Sequence, residues 1–230
     1  AGDVKFIDQN NDGEINDIRG LFVTKEHVYE AINSSSVEFI EGNVGAGTGM
    51  KCYDLKGGIG SASRIIGLGS NKYTIGVLVL SNFGSVEDFV LNGEHIGSKL
   101  STRINKTEGT EDKGSIIVVL ATDIPLSSNQ LKRVLKRVQS GIARTGNFIG
   151  NNSGEIAIGF STANIIKHYE EDYIVKIDTI NENKINLVFK ATVEATEEAN
   201  LNSLICSDTT IGRDGKKTYS LKEFINEFYL

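Results

Sequence analysis

Proline occurs once in the 230 residues, tryptophan not at all, cysteine twice and histidine three times. Cys52 and Cys206 form no CxxC pair, so neither a disulfide scaffold nor a cysteine-cluster metal site fits. Each lies in or beside an apolar stretch, which reads as two buried free thiols in a reducing, cytoplasmic compartment. His27, His95 and His168 are far apart, with no HExxH-like spacing. That argues against a histidine-based metal site, and no metal or cofactor is expected. No apolar run approaches the ~20 residues of a membrane span, so no membrane partner is expected. A basic excess is also missing: 24 Lys and Arg face 30 Asp and Glu, a net charge of −6, which argues against nucleic acid as a partner. The densest basic stretch, Lys132, Arg133, Lys136 and Arg137, is spaced like the solvated outer face of a helix.

What is present is a hydrophobic fraction of 39%, enough for one sizeable domain or two small ones. Glycine is abundant, at 25 residues, and clusters between positions 42 and 84, which predicts sharp turns and close backbone approaches. The chain opens at Ala1 with a polar, turn-rich segment over 1–20 and reads as processed or truncated. Thr24 is placed to cap a helix over Lys25–Asn33, with His27 at the position where a capping box needs Glu or Gln, so no box is expected. Residues 34–64 read as loops. Tyr73–Leu80 is a continuous β-favouring run, predicted as a strand buried on both faces. Residues 92–114 are polar, charged and weakly patterned, like a mobile, exposed linker. Ser115–Ala121 then begins a second buried-type strand without transition. Ser127 or Ser128 caps a helix whose apolar stripe is Leu131, Val134, Leu135, Val138 and Ile142. Further strands are expected over Glu155–Phe160 and residues 173–180, and helices over Leu187–Cys206 and Leu221–Tyr229. The chain carries no internal repeat and reads as mixed α/β.

Several motifs invite a functional reading. Asp8, Asn10, Asp12, Gly13 and Ile15 match the opening of an EF-hand loop, but the twelfth position is Arg19, a cation where calcium requires a carboxylate. A plain Asx/Gly turn is the better reading. The run Gly42–Gly49 resembles a phosphate cradle, yet Thr48 and Gly49 follow Gly47 where a P-loop has Lys and Ser/Thr. The third glycine of a dinucleotide fingerprint would fall on Met50. A structural glycine loop lining a pocket is preferred. The step Gly114–Ser115 means little alone. It stands, however, behind a cleavable-looking linker and at the head of a buried strand. Cleavage there would give Ser115 a free α-amine with pKa near 8, able to act as general base for its own hydroxyl. Glycine at 114 leaves the approach of that hydroxyl to the preceding carbonyl unobstructed. Ser153 and Glu155 lie two apart on an extended chain, so they face the same way, and a carboxylate there could orient a hydroxyl near the nucleophile. On spacing alone a polar turn over Asn151–Glu155 explains them better. Asn82 ends the Tyr73–Leu80 strand, as a turn former or as an amide donor to an oxyanion.

Taken together and in order, these segments resemble a known family. They include Asn16-Asp17-Ile18, Glu41–Met50, Lys56–Arg64, Tyr73–Val79 with Asn82–Gly84, Gly114–Ile117, Ala121–Leu126, Gly141–Gly146, Asn152–Glu155, Phe160–Thr162, Glu194–Ala199 and Gly212–Gly215. The chain is similar over nearly its whole length to the DmpA-type L-aminopeptidase/D-amidase-esterases and β-peptidyl aminopeptidases. The resemblance implies an αββα four-layer sandwich like that of N-terminal-nucleophile hydrolases, with different connectivity. It implies a precursor that cleaves itself between Gly114 and Ser115, residues 1–114 forming the later part of an α-subunit and 115–230 a β-subunit. By the same resemblance Ser115 is the nucleophile, Ser153 and Glu155 its assisting pair, and Asn82 the oxyanion donor. Small peptides, amides or esters are the implied substrates, through an acyl-enzyme, and a homo-oligomer the implied assembly.

Two departures bear on this. Members of the family carry a further N-terminal portion supplying strands and part of the pocket, and this chain begins after it. Many carry an aromatic residue just before the Asp12–Gly13 step, where this sequence has Asn10-Asn11. The alternatives are an acyltransferase of the ornithine acetyltransferase type, whose nucleophile is threonine rather than serine, and an inactive, unprocessed relative. A calcium-binding module would rest on residues 8–15 alone.

Overall fold

The computed structural model describes residues 15–17, 20, 22–104, 114–151, 153–213 and 215–228. The EF-hand-like residues 8–12, Arg19, Asn152 and positions 105–113 of the expected linker lie outside them. In chain order the strands are β1 (Lys51–Cys52), β2 (Leu55–Lys56), β3 (Ile59–Leu68), β4 (Asn71–Asn82), β5 (Val90–Leu91), β6 (Glu94–His95), β7 (Ser115–Thr122), β8 (Gly154–Ser161), β9 (Thr210–Ile211) and β10 (Lys217–Thr218). The α-helices are α1 (Lys25–Asn33), α2 (Gly97–Arg103), α3 (Ser128–Leu135), α4 (Val138–Ala143), α5 (Ile185–Ile205) and α6 (Ile225–Phe228).

One four-stranded sheet organises the chain, in the order β3-β4-β7-β8, antiparallel except for the parallel pair β7–β8. Alternation along the strands sets its two faces. Ile75, Val77 and Val79 of β4 and Ile116, Val118 and Leu120 of β7 are buried on one face. Helix α5 lies across this face and packs on β3, β4 and α4. It comes close because its inward residues are small: Ala191, Ala195, Ala199 and Ser203 are buried there. A Cβ at Gly60 of β3 would sit 2.1 Å from the Ala199 carbonyl oxygen, and one at Gly141 of α4 would sit 2.6 Å from Thr196 Cβ. The buried Thr192 and Thr196 hydroxyls donate to the carbonyls of Val188 and Thr192, each four residues earlier, at 2.8 Å, so no inward polar group of this pair is orphaned.

The opposite face is apolar and open among the described residues. Ile117, Ile156, Ile158 and Phe160 are 42–57% exposed on it, beside the half-buried Leu78, Leu80 and Val119. The β4 run is therefore buried on one face and only half covered on the other, not on both as its composition suggests. A monomeric surface rarely exposes so contiguous an apolar patch.

Other expectations are corrected. The stretch read as loops to residue 64 contains the hairpin β1–β2 and most of β3, whose Gly, Ser and Arg content hid a ten-residue strand. Residues 173–180 form no strand. Asn164 ties them down by exchanging two 2.9 Å hydrogen bonds with the Asp178 backbone, while Tyr173 and Ile174 stay exposed. The expected linker over 92–114 is partly ordered as the end of the β5–β6 hairpin and α2. The helical stripe from Leu131 to Ile142 is divided between α3 and α4. His27 Nδ1 accepts from the Thr24 N–H at 3.0 Å, completing a capping box with an imidazole in place of a carboxylate. Cys52 is buried, but Cys206 is only half-buried.

Candidate active site

The end of β4 and the starts of β7 and β8 meet at Ser115. In register, Ser115 pairs with Asn82 on one side and with Gly154 on the other. Paired residues share a face, and that of Ser115, Asn82 and Gly154 is the open one, in line with Leu80, Ile117 and Ile156. The Cα atoms of the antiparallel pair Asn82–Ser115 are therefore about 4.5–5.5 Å apart. Gly154 adds no side chain beside the hydroxyl; a Cβ there would lie 3.6 Å from Ser115 Oγ. Gly114 is fixed more severely. A Cβ at 114 would fall 2.0 Å from the Asn82 carbonyl oxygen and 2.5 Å from Phe83 Cα, both backbone, so only glycine fits before the serine.

The Asn82 amide is oriented by a single unambiguous donor. The Lys51 N–H donates to Asn82 Oδ1 at 3.0 Å. A backbone N–H can only donate, so the oxygen must face it and Nδ2 must point elsewhere. Nδ2 makes no hydrogen bond to the described residues and is left as a donor at the sheet's end. The Lys51 N–H is available because the β1–β2 hairpin turns over only two residues, Tyr53 and Asp54, both left-handed with φ of 51° and 57°. The pair Lys51–Lys56 then points its N–H groups outward, that of Lys56 to the Tyr219 carbonyl at 2.7 Å. The hairpin is anchored by Tyr53, which is fully buried against Phe83 and Phe89 and hydrogen-bonded to Thr145 Oγ1 at 2.8 Å. Sequence reasoning missed this support. Its one signal was Asp54, a turn former between Tyr53 and Leu55, which is weak.

Ser153 and Glu155 are joined: Ser153 Oγ donates to Glu155 Oε1 over a long 3.4 Å. Their relation to Ser115 differs from that of Asn82. Glu155 pairs with Ile116, so it points to the helix-covered side of the sheet edge, while Ser153 precedes the ladder. Thus Gly114, Ser115 and Asn82 meet in one register, and the Ser153–Glu155 pair borders it from the head of β8. The glycine loop Gly45–Gly49 wraps the buried Lys56, whose Nζ donates to the Gly47 carbonyl at 2.7 Å. A cavity of about 580 Å³ lies elsewhere, lined by Phe22, His27 and the Arg213–Asp17 ion pair among others. Among the described residues no three His, Cys, Asp or Glu side chains gather as metal ligands, and no helix is long and apolar enough to cross a membrane.

Comparison with known proteins bears on this geometry. The family model of peptidase family S58 matches residues 4–218. The chain belongs to peptidase family S58. It is 39% identical over 222 residues to the β-peptidyl aminopeptidase BapA of Sphingosinicella microcystinivorans, covering 91% of this chain and 56% of the relative. The PH0078 protein of Pyrococcus horikoshii OT3 superposes with a TM-score of 0.84 at 48% identity, over 94% of this chain and 60% of that one. The L-aminopeptidase D-Ala-esterase/amidase of Ochrobactrum anthropi, described as a variant of the Ntn hydrolase fold, superposes with a TM-score of 0.82 at 34% identity, over 94% and 61%. This S58 chain thus spans little more than half the length of the relatives it matches. The layered α/β sandwich expected from the resemblance agrees with these neighbours; the described residues supply one of its sheets with the helices that cover it.

Proposed function

We propose that the protein of this chain is a self-processing serine aminopeptidase with Ser115 as nucleophile. The observation that carries the reading is the junction of Gly114, Ser115 and Asn82: a serine heads a core strand, a sterically required glycine precedes it, and an oriented amide donor is its paired neighbour. In processing, Ser115 Oγ attacks the Gly114 carbonyl carbon and the amide nitrogen departs to give an ester. Water then hydrolyses the ester, leaving a Gly114 carboxylate and a free Ser115 α-amine. Residues 1–114 and 115–230 become separate chains held together by the β4–β7 ladder.

In turnover the α-amine, with pKa about 7.7–8.0 in its unperturbed form, accepts the proton of Ser115 Oγ. Oγ adds to the substrate carbonyl, and the developing oxyanion takes a hydrogen bond from Asn82 Nδ2. Such a donor typically supplies about 2.7–4 kcal/mol of transition-state stabilisation. The proton passes to the leaving amine, and water releases the acyl group from the serine. The Ser153–Glu155 pair assists by fixing a hydroxyl beside the nucleophile. Support comes from the names of the relatives, aminopeptidases and amidases, which fit small peptide, amide or ester substrates. On this reading the open apolar face is the inner face of the sandwich. A homo-oligomer and a reducing, cytoplasmic setting complete the reading.

Intact mass and N-terminal sequencing of the purified protein test it. A second N-terminus beginning Ser115-Ile116-Ile117-Val118, absent from Ser115→Ala, together with p-nitroanilide hydrolysis lost in the same variant, is the expected result. A single uncut chain without hydrolysis would overturn it.

A further inference from the structure

Lys56 is fully buried, and the three carbonyl oxygens that its Nζ meets call for the three donors of an ammonium group. Burying that charge is costly unless its donors are satisfied. Here Nζ donates to three carbonyls: Gly47 at 2.7 Å, Met50 at 2.9 Å and Gly57 at 2.7 Å. Packing alone does not call for a charged group at this position, since a methionine would fill similar volume without desolvation.

The Met50 contact gives the cage a direction. The Met50 carbonyl and the Lys51 N–H belong to one planar peptide unit. Its oxygen accepts from Lys56 Nζ and from the Gly57 N–H at 3.1 Å, and its N–H donates to Asn82 Oδ1 at 3.0 Å. The peptide plane is therefore clamped on one edge by the ammonium and clamps the Asn82 amide with the other. A cation on a peptide oxygen also draws electron density from the N–H, and hydrogen bonds in series polarise one another. The polarisation runs from Nζ through the peptide to Oδ1 and makes Nδ2 a stronger donor.

We propose that Lys56 is a positioning residue for the oxyanion donor, acting on Asn82 through the Met50–Lys51 peptide. This rests on the oxyanion role of Asn82 in the reading above, and it adds a residue to that site which never touches substrate.

The test is a double-mutant cycle in the processed enzyme, with active sites counted by the Ser115 acylation burst. Asn82→Ala should lower kcat roughly 10²–10³-fold, the usual effect of removing one such donor. Lys56→Met should lower kcat per active site by roughly tenfold to a hundredfold, a part of that effect, with KM little changed. Lys56→Arg, which keeps charge and donors, should recover part of the rate. In the Asn82→Ala background Lys56→Met should have almost no further effect, because its target is gone. Where Lys56→Met fails to fold or process, Lys51→Pro deletes the relayed N–H itself and should show the same kcat loss and the same non-additivity. A processed Lys56→Met enzyme with wild-type kcat, or full additivity with Asn82→Ala, would overturn the proposal. An Asn82→Ala enzyme with unchanged kcat would instead remove the oxyanion reading beneath it.

Discussion

Replacing Gly114 by alanine should slow self-cleavage without touching the nucleophile. The added Cβ would lie 2.0 Å from the Asn82 carbonyl oxygen, 2.7 Å from Asn82 C and 2.5 Å from Phe83 Cα. Ordinary contacts between such atoms are about 3.5 Å or more, so the chain must shift by roughly 1–1.5 Å. Neither neighbour yields easily: Asn82 is held in the β4–β7 ladder, and Phe83 is 2% exposed and packed edge-on to Tyr53 with ring centroids 5.2 Å apart. Overpacking of this kind costs about 1–3 kcal/mol. If the Gly114 carbonyl bears the displacement, the attack geometry carries that cost, a slowing of roughly fivefold to 150-fold at 1.4 kcal/mol per decade. The assay is a time course of intact mass after synthesis, comparing wild type, Gly114→Ala and Ser115→Ala. Gly114→Ala should convert slowly to two chains and Ser115→Ala not at all. Conversion of Gly114→Ala at the wild-type rate would refute the steric argument.

Other expectations concern the scaffold. Gly141→Ala should destabilise the α4–α5 contact by about 1–3 kcal/mol, since its Cβ would meet Thr196 Cβ at 2.6 Å and the Val193 carbonyl oxygen at 2.7 Å; a melting curve reads it as a fall of several degrees. Tyr53→Phe removes the 2.8 Å bond to Thr145 Oγ1, which keeps its partners Ile142 O and Asn200 Nδ2. The loss should therefore be only about 0.5–1.5 kcal/mol in denaturant unfolding, and a larger value would mean that the hydroxyl does more than bond Thr145. The Cys206 thiol is pushed up from its ordinary pKa, first by burial and then by the neighbouring Glu41 carboxylate. Less of it is thiolate at any given pH, so at pH 8–9 its alkylation by iodoacetamide should lag behind a free cysteine peptide and catch up only at higher pH; equal rates at pH 8 would contradict this.

Much of the frame was legible because strong periodicity rarely misleads. Ile116, Val118 and Leu120, the Ser127 cap and the apolar stretch from Leu187 all marked elements that the structure contains. Strand β3 was hidden, since Gly60, Ser61, Ser63 and Arg64 carry little β signal; its formation depends on the tight hairpin with β4 and on packing against α5, which is far away in sequence. The run over 173–180 failed the other way, with β-favouring residues that join no sheet. Of the site, Gly114–Ser115 stood out by its position at a compositional boundary, and Asn82 by its place at a strand end. The supports for Asn82 are the Lys51 N–H, turned outward by a two-residue hairpin, and the Lys56 side chain held on three backbone carbonyls, and residue spacing announces neither. Nor did spacing reveal that Glu155 and Ser115 fall on opposite parities of the β7–β8 ladder.

The central claim is that Ser115 carries the acyl group. Incubating the processed protein with an activated amino-acid ester, quenching in acid and mapping the adduct by peptide mass spectrometry tests it directly. An acyl increment on the peptide that begins at Ser115, absent in Ser115→Ala, is the predicted result. Hydrolysis of the ester with the increment on another residue, or with none accumulating on Ser115 even in Asn82→Ala, would contradict it.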